Sequence, residues 1–125
     1  MTLTELNALN EAQFTAALGS IFEHSAWIAQ STWPGAPFSD VNSLHAAMCK
    51  TLAAADVDAK LALIRAHPEL AGRAAIRGEL TEASTREQAG AGLDQCSPEQ
   101  YAQLTELNAA YNARFGFPFI LAVRG

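Results

Sequence analysis

The chain has 125 residues, half of them hydrophobic and 17% charged, with a formal net charge of -5. That length fits one domain, and the composition can bury a core, which argues against disorder. The acidic balance argues against a nucleic-acid binder, and no Lys/Arg cluster suggests a membrane surface.

Abundant alanine and sparse β-branched residues favour helices. No secretory signal opens the chain, and no apolar run reaches the roughly 18 residues of a membrane span, so a cytoplasmic protein is expected. Cys49 and Cys96 form no CxxC pair and read as small buried hydrophobes in a reducing compartment.

In chain order, Asn10 with Gln13 resembles a helix-start box, and Phe14, Ala17, Leu18, Ile21 and Phe22 repeat at helical spacing after it. A short helix is predicted from Ser25 to about Trp33, stopped by Pro34-Gly35 and Pro37. Ser39 or Asp40 can cap the next helix, with Val41, Leu44, Ala47, Met48 and Leu52 on its apolar face. Asp56 or Asp58 opens another, which should end at His67 because Pro68 biases that residue away from helical dihedrals. Residues Leu70 to Leu80 read as a loop or short helix. Ser84 and Glu87 fit a capping box, and the helix it would start carries Gly90 and Gly92, which weaken it.

Ser97-Pro98-Glu99-Gln100 is the clearest helix start. Tyr101, Leu104, Leu107, Tyr111 and Phe115 follow on one face, and Gly116 supplies the stop. The run from Phe117 to Val123 reads as extended and apolar. With no second strand to pair with, its amides and carbonyls must find side chains, water or a ligand.

Among the residues that could carry chemistry, His24, His45 and His67 lack the spacing of a metal site. His24 suits a structural hydrogen bond at a helix junction, and His45 a surface or satisfied core position. His67 follows a helix C-terminus, whose partial negative charge suits a protonated imidazole, and Pro68 restrains its backbone. It reads either as a helix-capping histidine or as a catalytic one, and the residues alone favour the cap. Glu87 reads equally as a capping-box glutamate or, with Ser84 and Gln88 at a positive helix end, as a ligand-binding group.

Several segments, taken in order, resemble the 2-oxo-4-hydroxy-4-carboxy-5-ureidoimidazoline (OHCU) decarboxylase family of urate degradation. They are Phe22-Glu23-His24-Ser25-Ala26-Trp27, Arg65-Ala66-His67-Pro68-Glu69-Leu70, and Ser84-Thr85-Arg86-Glu87-Gln88 with Ala89-Gly90-Ala91-Gly92-Leu93. Leu107-Asn108-Ala109-Ala110-Tyr111 and Arg114-Phe115-Gly116-Phe117-Pro118-Phe119-Ile120 complete the set. The resemblance implies an all-α, compact single-domain helical bundle over residues 1–125, with an extended C-terminal segment. Family chains continue into further helices, so this one is expected to lack them.

The resemblance further implies a homodimer that converts OHCU to (S)-allantoin and CO2 without metal or organic cofactor. Residue by residue, it makes His67 and Glu87 catalytic. Pro68, Ser84 and Gln88 become substrate-binding, as does the segment Phe119, Ile120, Leu121, Ala122 and Val123, largely through its backbone. The rival readings are a non-catalytic helical interaction domain, whose motif residues are caps and core, and a related small-molecule lyase on the same scaffold.

Overall fold

A computed structural model of the chain describes residues 1–70 and 82–123. Among the described residues there are seven α-helices and two 3-10 turns, and no strand. The chain divides into two compact units, Met1–Leu63 and Ile64–Gly125. Most of the expected loop or short helix over Leu70–Leu80 lies outside the described residues.

In the first unit, α1 (Leu3–Asn7) is a helix that the pattern does not signal; Thr2 and Glu5 cap it reciprocally. Asn10 and Gln13 form the expected box for α2 (Glu11–Leu18). That helix stops before Ile21, which is exposed. Gly19 follows it, and a Cβ there would lie 2.6 Å from the Thr15 carbonyl oxygen. The next segment is α3 (Trp27–Thr32), ended by a 3-10 turn over Trp33–Gly35.

Of the two candidate caps for α4 (Val41–Ala54), Asp40 is the one used: its carboxylate accepts the Ser43 amide at 2.6 Å. Asp56 does the same for α5 (Val57–Ala66), accepting the Ala59 amide at 2.7 Å. Inward-facing Leu6, Phe14, Ile28, Phe38, Leu44, Met48 and Leu63 make one apolar core. The Asn7 side chain pins the backbone at Phe38, donating to its carbonyl at 2.8 Å and accepting its amide at 2.9 Å.

Cys49 corrects the sequence reading, because it is exposed. Leu44 and Met48 share the buried face of α4, and one further residue turns about 100° outward. Its Sγ lies 3.6 Å from His45 Nε2, one turn back on the same helix. Cys96 is only partly buried.

The second unit holds α6 (Glu82–Gly90), a 3-10 turn (Leu93–Gln95) and α7 (Pro98–Phe115). Here the expected capping box is overturned. Ser84 already lies inside α6, so neither it nor Glu87 stands at the cap positions that box requires. The helix ends at Gly90; Gly92 lies beyond it with φ 75, opening the 3-10 turn. By contrast, Ser97 and Gln100 cap α7 reciprocally as expected, and Gly116 ends it in the left-handed region at φ 75.

The inward side of α7 departs from the predicted face. Leu107 and Phe115 are 62% and 47% exposed, whereas Asn108 is 5% exposed. Tyr101, Leu104, Asn108 and Tyr111, spaced three and four apart, form the inward-leaning stripe. After Gly116 the chain runs on to Val123 outside any helix or strand. Tyr111 anchors its start, with ring centroids 6.0 Å from Phe117 and 5.3 Å from Phe119, both edge-on. Arg65 Nε donates to the Gly116 carbonyl at 3.0 Å and ties the end of α5 to this turn.

Candidate active site

Within the second unit, three stretches converge on a cavity of about 190 Å³. One wall is the turn after α5, with His67, Pro68 and Leu70; the second is Ser84, Glu87 and Gln88 of α6; the third is the extended run Ile120–Val123.

Each wall has a local cause. The α5 helix gives out where Pro68 disfavours helical dihedrals at the preceding residue, and the His67 amide closes the last turn onto the Ile64 carbonyl at 3.2 Å. Ser84, Glu87 and Gln88 are spaced three and four apart on α6, so they share a face. Ser84 sits in the first turn of that helix, at its positive end. The left-handed Gly116 then turns the chain out of α7, and the extended run begins.

The polar groups of this cavity are tied to one another. Glu87 Oε1 accepts the Val123 amide at 3.0 Å. A hydrogen bond to a charged acceptor typically contributes about 1.5–3 kcal/mol, enough to hold one end of this run. The extended segment therefore finds a side-chain partner, one of the outcomes its sequence requires. Buried Gln88 donates its Nε2 to the Glu69 carbonyl at 3.2 Å, bracing the turn that follows His67. One donor of the Gln88 amide is thus spent on the protein itself.

Of the residues named from sequence, His67, Glu87, Pro68, Ser84, Gln88, Ile120, Leu121, Ala122 and Val123 all line this cavity, and Phe119 does not. The Phe119 ring lies against Tyr111 instead. Sequence reasoning misses Leu70, which lines the cavity, and Asn108, whose Nδ2 donates to the Leu70 carbonyl at 3.0 Å. A signal for Asn108 does exist: it falls on the three-four stripe of α7, where a leucine would be expected. Among the described residues, no three His, Cys, Asp or Glu side chains are grouped so that they could hold a metal ion.

Fold and cavity together define a class: a small protein, helical and strandless among its described residues, with a histidine, a carboxylate and a run of backbone on one cavity. The sequence model of the OHCU decarboxylase family matches residues 7–125. This chain belongs to the OHCU decarboxylase family, a family of carboxy-lyases.

It is 42% identical over 124 residues to the 2-oxo-4-hydroxy-4-carboxy-5-ureidoimidazoline decarboxylase of Halalkalicoccus jeotgali, covering 99% of this chain and 68% of that protein. The Haloferax volcanii protein of the same name is 43% identical over 124 residues, with 99% and 71% covered. Among solved structures, the crystal structure of (S)-allantoin synthase superposes with a TM-score of 0.67 at 32% identity. That match covers 100% of this chain and 39% of the other.

Proposed function

We propose that the protein decarboxylates OHCU to (S)-allantoin in urate degradation, with His67 and Glu87 as its catalytic groups. The observation that carries this reading is the placing of His67, Glu87 and the Val123 amide on one cavity. An interaction domain whose motif residues were merely caps and core would have no need to gather them there.

The reaction asks little of a cofactor. As the bond between the ring carbon and its carboxylate breaks, CO2 leaves and the electron pair enters the adjacent ring C=N. The ring nitrogen that receives those electrons takes up a proton, leaving an enol; a second proton is then added to the ureido-bearing carbon as the hydroxyl on the decarboxylated carbon releases its own and becomes a carbonyl. The protein must orient the carboxylate and choose the face that receives the proton.

In this reading His67 meets the carboxylate and hydroxyl region and moves the proton. Glu87 grips the ring or ureido N–H groups and, with Gln88, fixes the face that is protonated. Ser84 lies in the first turn of α6, where the partial positive end of the helix dipole suits the substrate's anionic group. Pro68 shapes the wall, while the backbone of Phe119–Val123 offers amides and carbonyls to the heterocycle. The same reading carries a homodimer working in the cytoplasm.

OHCU also decays spontaneously to racemic allantoin, so substrate loss alone is a poor assay. Circular dichroism of freshly generated OHCU with this protein should show the (S) product accumulating. Racemic allantoin at the background rate would overturn the proposal.

A further inference from the structure

The stripe of α7 that leans inward has an asparagine at its centre. Asn108 is 5% exposed and is the buried residue of that 18-residue helix. A buried side-chain amide is unfavourable unless hydrogen-bonded, so a leucine would be the ordinary occupant. Asn108 Nδ2 donates to the Leu70 carbonyl at 3.0 Å, across 38 residues of sequence. One residue earlier, the Glu69 carbonyl accepts Gln88 Nε2 from α6. Two successive carbonyls are therefore held by side-chain amides from two different helices.

This clamp stands two and three residues beyond His67. At the other end of the turn, the His67 amide is bonded to the Ile64 carbonyl. Between the two lies Pro68, whose ring fixes φ and leaves the backbone few ways to absorb a shift. Only Pro68 and Glu69 separate Leu70 from His67, a short path by which a displacement at Leu70 can reach it. Leu70 and His67 also line the same cavity wall.

We propose that Asn108 is a positioning residue for the reaction: through the Leu70 carbonyl it sets where His67 stands when the proton is delivered. The inference rests on the decarboxylase reading given above. Asn108 is absent from the described residues that line the cavity. A misplacement of about 1 Å remote from the chemistry can cost on the order of 100-fold in rate.

The test compares wild-type protein with Asn108→Leu, which keeps side-chain size and removes the donor. Activity is followed by circular dichroism, per mole of folded protein. The expected result is a kcat lowered about 10- to 100-fold with KM within about twofold, and a product of reduced (S) excess. Should that variant not fold, Asn108→Asp carries the test. Its activity relative to wild type should be low near neutral pH and recover as pH enters the carboxyl range, where the protonated carboxyl introduced by the substitution can donate to the Leu70 carbonyl again. A ratio flat across pH overturns the proposal. So does an Asn108→Leu protein that melts earlier yet keeps wild-type kcat and product configuration. A wild type that leaves OHCU to decay to racemic allantoin overturns the decarboxylase reading, and this inference with it.

Discussion

Glu87 Oε1 accepts the backbone amide of Val123 at 3.0 Å, joining residues 36 apart in sequence. The carboxylate thus serves α6 less as a cap than as a fastening for the extended run, on the rim of the cavity it also lines. Glu87→Gln keeps an oxygen for the Val123 amide and removes the charge. Its melting temperature should stay near that of wild type while kcat/KM falls about 10- to 100-fold, the worth of one charge-assisted hydrogen bond. Glu87→Leu should lose both activity and protection of the Val123 amide from hydrogen exchange. Calorimetry with the chirality assay separates the two variants, and a fully active Glu87→Gln would return Glu87 to a fastening alone.

His67 makes the complementary case. A positioned acid/base group typically supplies about 10²- to 10⁴-fold in rate. His67→Asn should lower turnover by that order and leave the fold intact; the His67 amide that closes the last turn of α5 is kept by the substitution. Steady-state kinetics beside far-ultraviolet circular dichroism would check this. Unchanged turnover would restore the helix-end reading.

Gly116 tests the turn from α7 into the extended run. Its φ is 75, and the nearest atom to a Cβ built there is an Arg65 nitrogen at 4.0 Å, so the strain of a substitution is of the backbone and not of crowding. Gly116→Ala should destabilise the protein by about 1–2 kcal/mol, while Gly116→Asn, which tolerates the left-handed region better, should lose less. Urea unfolding of the pair measures the difference; equal losses would point to a cause other than φ.

Asp40 supplies a pH dependence in the first unit. The Ser43 amide and then the Ser43 hydroxyl hold its carboxyl below the ordinary value of 3.8. A carboxyl whose native value is depressed stabilises the fold fully above its unfolded value and loses that contribution as pH falls through the native one. The stability advantage of wild type over Asp40→Ala should therefore be full at neutral pH and shrink progressively below 3.8. Thermal melts across that range would show it; an advantage independent of pH would mean that the cap does not depend on the charge.

Much of this architecture is legible where chemistry is local. The caps at Asn10, Asp40 and Ser97, the end of α5 at His67 and the stop at Gly116 each depend on a few adjacent residues and can be read from them. Ser84 misleads because a capping box is defined by spacing, and the same spacing recurs inside a helix that starts earlier. Asn108 escapes because hydrophobic counting passes over a polar residue on an inward stripe, and its partner at Leu70 is remote in sequence. Cys49 shows the reverse error, a thiol assigned to the core by residue type alone. The candidate site itself emerges only through ordered family motifs, since its three walls are brought together by tertiary structure.

The fastening of the extended run has a consequence for how variation reaches this cavity. The group that Glu87 holds at Val123 is a peptide N–H, which nineteen of the twenty amino acids would supply. Exchanging the side chain at 123, or at the exposed positions 120–122 before it, leaves that donor in place. Proline at 123 is the substitution that deletes it. An alanine scan through this wall would pass over the join altogether, although a single imino acid would unfasten it.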